Sequence, residues 1–202
     1  MKSKIEKVRI NLARVFVLLL IVLIMITGSA WEGELALAGS AFFFVGLFLA
    51  TIAAAGRLWA SLYIAGRKTR ILVTEGPYSV CRNPLYLFNL LGAVGVALTS
   101  KTLLIPSIVF IGFASYFPLV IRHEEKKLIL RHGAEFEAYK AKTPRFWPDI
   151  SKLTEPDIYL VKPIIFRNHL FSAGAFITLV GLMEFIRGMQ TLSLLPTIIK
   201  LY

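Results

Sequence analysis

Side chains that bind metals or do redox chemistry are scarce. The 202 residues include one cysteine, Cys81, and three histidines. A single cysteine excludes an internal disulfide and a thiolate metal cluster. Cys81 reads as a small apolar filler rather than a reactive thiol. Charge is sparse too. Only 17% of residues are charged, 23 basic against 12 acidic, for a formal net charge of +11. That leaves little of the polar surface on which a nucleic-acid binder carries its cations. Internal repeats and low-complexity segments are also lacking.

Apolar residues fill the space, at 56% of the chain and a mean hydropathy of +0.69. This composition points to a membrane protein. The cations gather between apolar runs, which suits the anionic cytoplasmic face of a bilayer.

A basic tail with Lys2, Lys4, Lys7, Arg9 and Arg14 precedes an apolar run over residues 15–30. Ser29-Ala30-Trp31 is a poor cleavage site and a second run follows at once, so this is a first transmembrane helix, not a signal peptide. Glu32 and Glu34 form a short loop. Residues 35–56 carry no charge and are long enough to span the hydrocarbon core. Gly39, Ser40, Gly46 and Ala50 suit close helix packing in lipid. Arg57 ends the run, and Trp59 and Tyr63 fall at interface depth. Residues 64–76 are polar and basic. A hairpin of two further spans, 83–100 and 102–121, turns at Ser100-Lys101, and Gly92 and Gly95 allow another helix to approach. Leu128, Leu130, Phe136 and Tyr139 then give an amphipathic helical pattern. After a linker at 151–163 comes a fifth run, 168–186. Residues 192–201 are too short to cross alone, and lie at the interface or return as a half-helix.

The expected fold is therefore an all-α, polytopic integral-membrane protein with about five transmembrane helices. Residues 1–56 form N-terminal spans, 57–150 a core, and 151–202 a C-terminal membrane segment. The distribution of Lys and Arg puts the N-terminus and every other basic block in the cytoplasm.

The stretch from Gly76 to Tyr86 holds the chemistry. Gly76-Pro77 marks a turn. Asn83-Pro84 reads as a helix start, with Asn83 as N-cap and Pro84 at the first helical position. The open amides of the first turn, beside Arg82, offer an anion a place at the membrane surface. The plainer reading is a capped transmembrane helix with a snorkelling arginine. Across the hairpin, Glu124 and Glu125 emerge at similar depth. An aromatic (Tyr78), an arginine, a helix start and two carboxylates suit a zwitterionic cofactor with a positive centre. A carboxylate takes ribose hydroxyls or an ammonium group, a tyrosine face meets a sulfonium, and Arg82 with the helix start takes a carboxylate. Against this stands a solvated helix end, with Glu125 paired to Arg122 at i−3.

These motifs are Gly76-Pro77-Tyr78, Arg82-Asn83-Pro84-Leu85-Tyr86, Glu124-Glu125-Lys126-Lys127-Leu128, Glu135-Phe136-Glu137-Ala138-Tyr139 and Pro144-Arg145-Phe146-Trp147-Pro148. In order and spacing, over about residues 57–148, the sequence resembles the isoprenylcysteine carboxyl methyltransferases and related integral-membrane phospholipid methyltransferases. The resemblance implies S-adenosylmethionine as methyl donor, held on the cytoplasmic side. It implies cofactor contacts from Arg70, Ile71, Leu72, Val73, Tyr78, Asn83, Pro84, Leu85, Tyr86, Glu124 and Glu125, with Arg82 and Arg122 as candidate catalytic residues. Two departures stand out. Asn83 replaces the family's usual His and cannot accept a proton at neutral pH. No arginine precedes Arg122 in the fourth helix, where prenylcysteine enzymes bind the substrate carboxylate, so Arg122 is the candidate for that role.

The expected activity is methylation of a lipidic or amphiphilic acceptor, most like isoprenylcysteine carboxyl O-methylation. A phospholipid or small-amine N-methyltransferase is the alternative, and a non-catalytic membrane scaffold or sensor of the same fold a second. Expected partners are membrane lipids and the acceptor, with no metal and no nucleic acid, in the inner or plasma membrane of a prokaryote. Methyl transfer from a sulfonium needs alignment and exclusion of water more than acid–base help. His123 could assist an amine acceptor, though a solvated helix-end histidine explains it as well.

The topology is checked by labelling from outside intact cells. In a Cys81→Ala background, a single cysteine at Glu135 should stay unlabelled by an impermeant maleimide. Efficient labelling there overturns the orientation.

Overall fold

A computed structural model describes residues 15–16, 18–31, 36–67 and 71–202. The basic tail, Glu32, Glu34 and Arg70 lie outside the described residues. Nearly everything else is helical. A first helix, α1, covers residues 18–26, and a short strand, β1, follows at Thr27–Ser29. Three helices of 29 residues come next in length: α2 (Ala36–Ile64), α5 (Leu104–His132) and α7 (Pro163–Thr191). At about 1.5 Å per residue each is roughly 43 Å long, more than the ~30 Å of hydrocarbon. Between them lie α3 (Pro77–Val80), α4 (Pro84–Leu98), α6 (Ala134–Lys142), a 3-10 turn at Ile150–Lys152, and β2 (Ile199–Leu201).

The chain is thus an all-α membrane protein, and the first of the about five expected spans lies partly outside the described residues. Among the described residues three helices are long and apolar enough to cross. The third expected span, α4, has 15 residues, or about 22 Å, too little to cross alone. Pro84 fixes its start. Its other end closes in a buried polar turn, where Thr99, Ser100 and Thr102 are fully buried and the hydroxyls of Ser100 and Thr102 bond each other at 2.9 Å.

That short helix is the centre of the bundle and packs against α2, α5 and α7. Small residues allow it. A Cβ on Gly95 would fall 2.7 Å from the Ala50 nitrogen and 2.8 Å from the Gly46 carbonyl oxygen, so α2 and α4 meet backbone to backbone. The expected role of Gly46, Ala50 and Gly95 holds. Gly92 makes room in the same way for the Phe176 ring of α7, and Gly56 for Phe88.

α5 runs through Pro118 and well past residue 121. Its inner face carries Phe117, Val120, Ile121, Glu124, Glu125, Leu128, Ile129 and His132, the i, i+3, i+4 stripe of a packed helix. Arg122, His123, Lys126 and Lys127 lie on the outer face. So does Leu130, 88% exposed, which corrects its expected place in the amphipathic pattern. It falls two residues from Leu128, about 200° around the helix. Gly133, at φ 50°, breaks the helix and α6 begins.

Of the two alternatives for residues 192–201, the half-helix is not formed. β2 pairs in parallel with β1, Thr27 opposite Ile199 and Ser29 opposite Leu201. Arg187 donates to the carbonyls of Thr27 (3.2 Å) and Ser100. Gln190 Nε2 donates to Met25 O at 3.0 Å, and Leu103 N to Tyr202 O at 2.8 Å. Backbone groups near the hydrocarbon must find partners within the protein, and at this end they find one another.

The α2–α4 contact makes a stability prediction. Gly95→Ala should cost about 1–3 kcal/mol through overpacking against backbone that cannot yield. Gly181→Ala, where nothing lies within 4 Å of the new methyl, should be neutral or slightly stabilising. Melting temperatures of the detergent-purified protein read both. Equal melting temperatures for Gly95→Ala and the parent would mean that the helices stand further apart.

Candidate functional site

Gly76 starts the site. Its backbone (φ 58°, ψ −134°) is open to glycine and strained for other residues. The Tyr63 ring also occupies the place of a side chain, 2.3 Å from where a Cβ would stand. The linker after the 3-10 turn holds the segment down. Gly76 N donates to Thr154 O (2.8 Å), and Thr154 N to Ser79 Oγ (3.0 Å). Ser79 Oγ in turn donates to Gly76 O at 2.7 Å.

Tyr78 is turned into a nest of Ala60, Tyr63, Val73, Leu85, Phe88 and Tyr159. Its carbonyl accepts from the Tyr139 hydroxyl at 2.6 Å. Its own hydroxyl is buried and has no hydrogen-bond partner. Burial pushes the Tyr78 hydroxyl far above the ordinary tyrosine range. Tyr139 and the nearby Glu124 carboxylate push it the same way. The half-buried Glu124 is therefore within electrostatic reach of an unsatisfied buried hydroxyl.

The next residues are clasped by the segment after α6. Arg82 N donates to Pro144 O (2.9 Å), Asn83 Nδ2 to Arg145 O (3.0 Å), and Asp149 N to Val80 O (3.0 Å). Cys81 Sγ lies 3.1 Å from Phe146 O. Burial pushes its thiol up to about 11, tempered by the Asn83 amide and Arg82, so it keeps its proton at neutral pH and is a packed filler.

Two expectations need correction here. Asn83 stands at the N-cap position but its side chain caps nothing. The Tyr86 and Leu87 amides are already taken by the Asn83 carbonyl at 3.1 and 3.2 Å, and Pro84 has no amide to offer. The side chain is free to bond Arg145 O instead. Second, Glu125 pairs not with Arg122 but with Arg82 (3.3 Å) and Arg145 (3.1 Å). Two guanidiniums from other segments, in a half-buried place, outcompete an exposed neighbour on the same helix. The Arg82 contact is an ion pair without hydrogen-bond geometry, since Glu125 Oε1 lacks an aligned donor.

Arg82 is thus occupied. Its Nη1 donates to Lys140 O (2.7 Å) and Thr143 O (3.1 Å) while Nη2 faces Glu125. The anion place expected beside it is filled by Glu125. Arg122 is exposed, and lies two residues from Glu124, about 200° around α5. The other expected residues divide. Val73 and Leu85 join Tyr78, Leu72 is half-buried, and Pro84 is buried. Tyr86 sets its ring against Phe117 of α5, centroids 5.0 Å apart. Exposed Ile71 lines a separate cleft of about 380 Å³ with Arg67, Leu160 and Lys162.

Residues outside the motifs also support this end of the molecule, among them Trp59 and Tyr63 at interface depth. Trp59 Nε1 and the Tyr63 hydroxyl both donate to Glu155 at 3.0 Å, and the Tyr159 hydroxyl donates to Tyr63 O at 2.7 Å. Arg67 lies over the Tyr159 ring, 4.0 Å from its centroid. Glu155 and Tyr159 sit in a linker whose composition gives no periodic signal. Arg145 and Tyr139 were visible within motifs, but only the fold shows what they touch.

A sequence profile of the family described as Phospholipid methyltransferase matches residues 33–134. The chain is also 34% identical over 193 residues to the nickel-cobalt-cadmium resistance protein NccN of Alcaligenes xylosoxydans xylosoxydans, covering 96% of this chain and 89% of that protein. It is 34% identical over 176 residues to the cobalt-zinc-cadmium resistance protein CzcN of Cupriavidus metallidurans, covering 87% and 80%. No solved structure matches it. The profile covers half of the chain, including α2, the Gly76–Tyr86 stretch, α4 and α5, and the chain belongs to the phospholipid methyltransferase family.

Proposed function

We propose that the protein is an S-adenosylmethionine-dependent methyltransferase acting on a lipidic or amphiphilic acceptor, most like carboxyl O-methylation. The observation that carries this reading is the buried, unpartnered Tyr78 hydroxyl, on which the half-buried Glu124 carboxylate acts electrostatically. A donor, a carboxylate and the apolar wall of Val73 and Leu85 fit a nucleoside that also carries an ammonium group. In this reading Glu124 accepts from ribose hydroxyls or the ammonium, Tyr78 supplies its hydroxyl, and Val73 and Leu85 exclude water. The bound cofactor supplies an electrophilic methyl group on a sulfonium, so the residues around it need chiefly to align and to dry the site. Arg82 is a positioning residue: with Arg145 it fixes Glu125, and hence the turn of α5 that presents Glu124. Arg122, on the outer face, serves the site only through an acceptor that reaches that face.

The Lys and Arg distribution supports a cytoplasmic site, and the acceptor enters from the bilayer, where its lipid part stays out of water. N-methylation of a phospholipid or small amine is the alternative acceptor chemistry. A second reading comes from the two relatives, both named for resistance to divalent metals. Methylating a lipid headgroup changes its charge or its metal-binding oxygens, so the same chemistry would serve metal tolerance at the membrane. Loss of tolerance on deletion, restored by the parent gene but not by a Glu124→Gln variant, would join the two readings. Restoration by that variant separates them.

Two substitutions test the cofactor site by calorimetry with S-adenosylhomocysteine. Glu124→Gln should weaken binding roughly ten- to hundred-fold, the loss of a charge-assisted hydrogen bond worth about 1.5–3 kcal/mol. Tyr78→Phe should split the readouts. It removes a buried hydroxyl that has no protein partner, so the ligand-free protein should melt no lower than the parent, yet bind more weakly. Unchanged affinity in both variants would return these residues to a structural role.

A further inference from the structure

Arg57 is a half-buried charge within the long apolar helix α2. It lies on α2 two turns before Ile64, about 10 Å from that end of the helix. Its Nη1 donates to Asn89 Oδ1 on α4, and its Nη2 to Ser172 Oγ on α7 at 2.7 Å. Both partners are neutral, and among the described residues no acidic side chain pairs with it. Its Nε is buried with no partner at all. The cation is half-buried, aimed by two fixed polar groups, and its charge is not balanced. A cation kept in a membrane helix without a counter-ion is costly, and such residues mark sites where a ligand supplies the missing charge.

Its place is telling. Asn89 follows Leu85 by four residues on α4, so it lies on the same face one turn, about 6 Å, further in. Leu85 and Phe88 pack with Tyr78 and Tyr63. Arg57 precedes Ala60, a member of this nest, by three residues, so it lies about 60° around α2 and one turn further in. The guanidinium thus sits where α2, α4 and α7 meet, about one helical turn further into the bundle than Ala60 and Leu85 of the Tyr78 cluster.

We infer that Arg57, aimed by Asn89 and Ser172, binds the anionic oxygen group, phosphate or carboxylate, of a lipid that enters between these helices. That this lipid is the methyl acceptor rests on the methyltransferase reading. The anion site itself does not.

The test uses the full chain, purified in a zwitterionic detergent and delipidated. Retention of phosphatidic acid, palmitate and neutral dioleoylglycerol is measured by native mass spectrometry. The parent should retain at least one of the two anionic probes about ten-fold better than the diglyceride, and the probe retained tells phosphate from carboxylate. Arg57→Gln should lose that preference, and Arg57→Lys should keep part of it. Should Arg57→Gln fail to fold, Ser172→Ala, which only frees one nitrogen of the guanidinium, should still lower retention measurably. No preference in the parent, or the same preference in Arg57→Gln or in Ser172→Ala, overturns the inference. S-adenosylhomocysteine binding is measured on the same samples. Retained cofactor binding with no anion preference sinks only the Arg57 site. Anion preference without cofactor binding sinks the methyltransferase reading and leaves the site standing.

Discussion

The site end of the molecule hangs on one half-buried carboxylate. Glu125 stands between Arg82 and Arg145, and these three residues come from the α3–α4 connection, from α5 and from the segment after α6. An isolated carboxylate in that setting would be costly, and so would either guanidinium. Together, with Arg82 also satisfied by the Lys140 and Thr143 carbonyls, they are tolerable in one arrangement only. The worth of such a cluster lies less in net stability than in registry. Turning α5 by one residue would replace Glu125 with Glu124 or Lys126. Fixing Glu125 therefore fixes the neighbouring carboxylate of Glu124 as well.

The two ends of the bundle solve the same solvation problem differently. At the end with Lys101, backbone groups pair with one another through β1, β2 and the Arg187 and Gln190 side chains. At the end with Arg82, residues 80–83 pair with residues 144–149 in a similar clasp. The Lys101 end leaves Trp31 Nε1 buried without a partner, and the site end leaves more over. The Tyr78 hydroxyl and one nitrogen each of Arg57, Arg82 and Arg145 are buried there without partners. Unsatisfied groups are rare in folded proteins, and several gathered around one wall of a bundle mark a place built for something other than its own packing.

The sequence made the helices and the meeting of Arg82 with the α5 carboxylates legible, because hydropathy and a short hairpin leave few ways to arrange them. Gly46 and Gly95 were legible as contact points because only small residues let helices touch in lipid. Length was harder. α4 looks like a span because residues 83–100 are uncharged and mostly apolar, but apolarity measures burial, and here the burial is inside protein. Residues 199–201 could not be read as a strand, since three residues carry no periodicity and their partner at 27–29 lies at the far end of the chain. Which glutamate the arginines take was also closed to sequence. That choice turns on about 100° of helix rotation, set by Arg145 from twenty residues away.

The replacement of the family's usual histidine by Asn83 looks different once its bond is known. Asn83 Nδ2 donates to the Arg145 carbonyl, and that bond joins the start of α4 to the segment carrying one of the two arginines on Glu125. A neutral imidazole has one N–H and could donate to the same carbonyl. What asparagine and neutral histidine share is a donor at the end of a short side chain. What they do not share is basicity. A chain that has lost the basic group while keeping the donor, the clasp and the ion cluster has kept the part of this position that aligns the site. That fits a reaction in which alignment matters more than proton transfer, as expected where the methyl group arrives already activated.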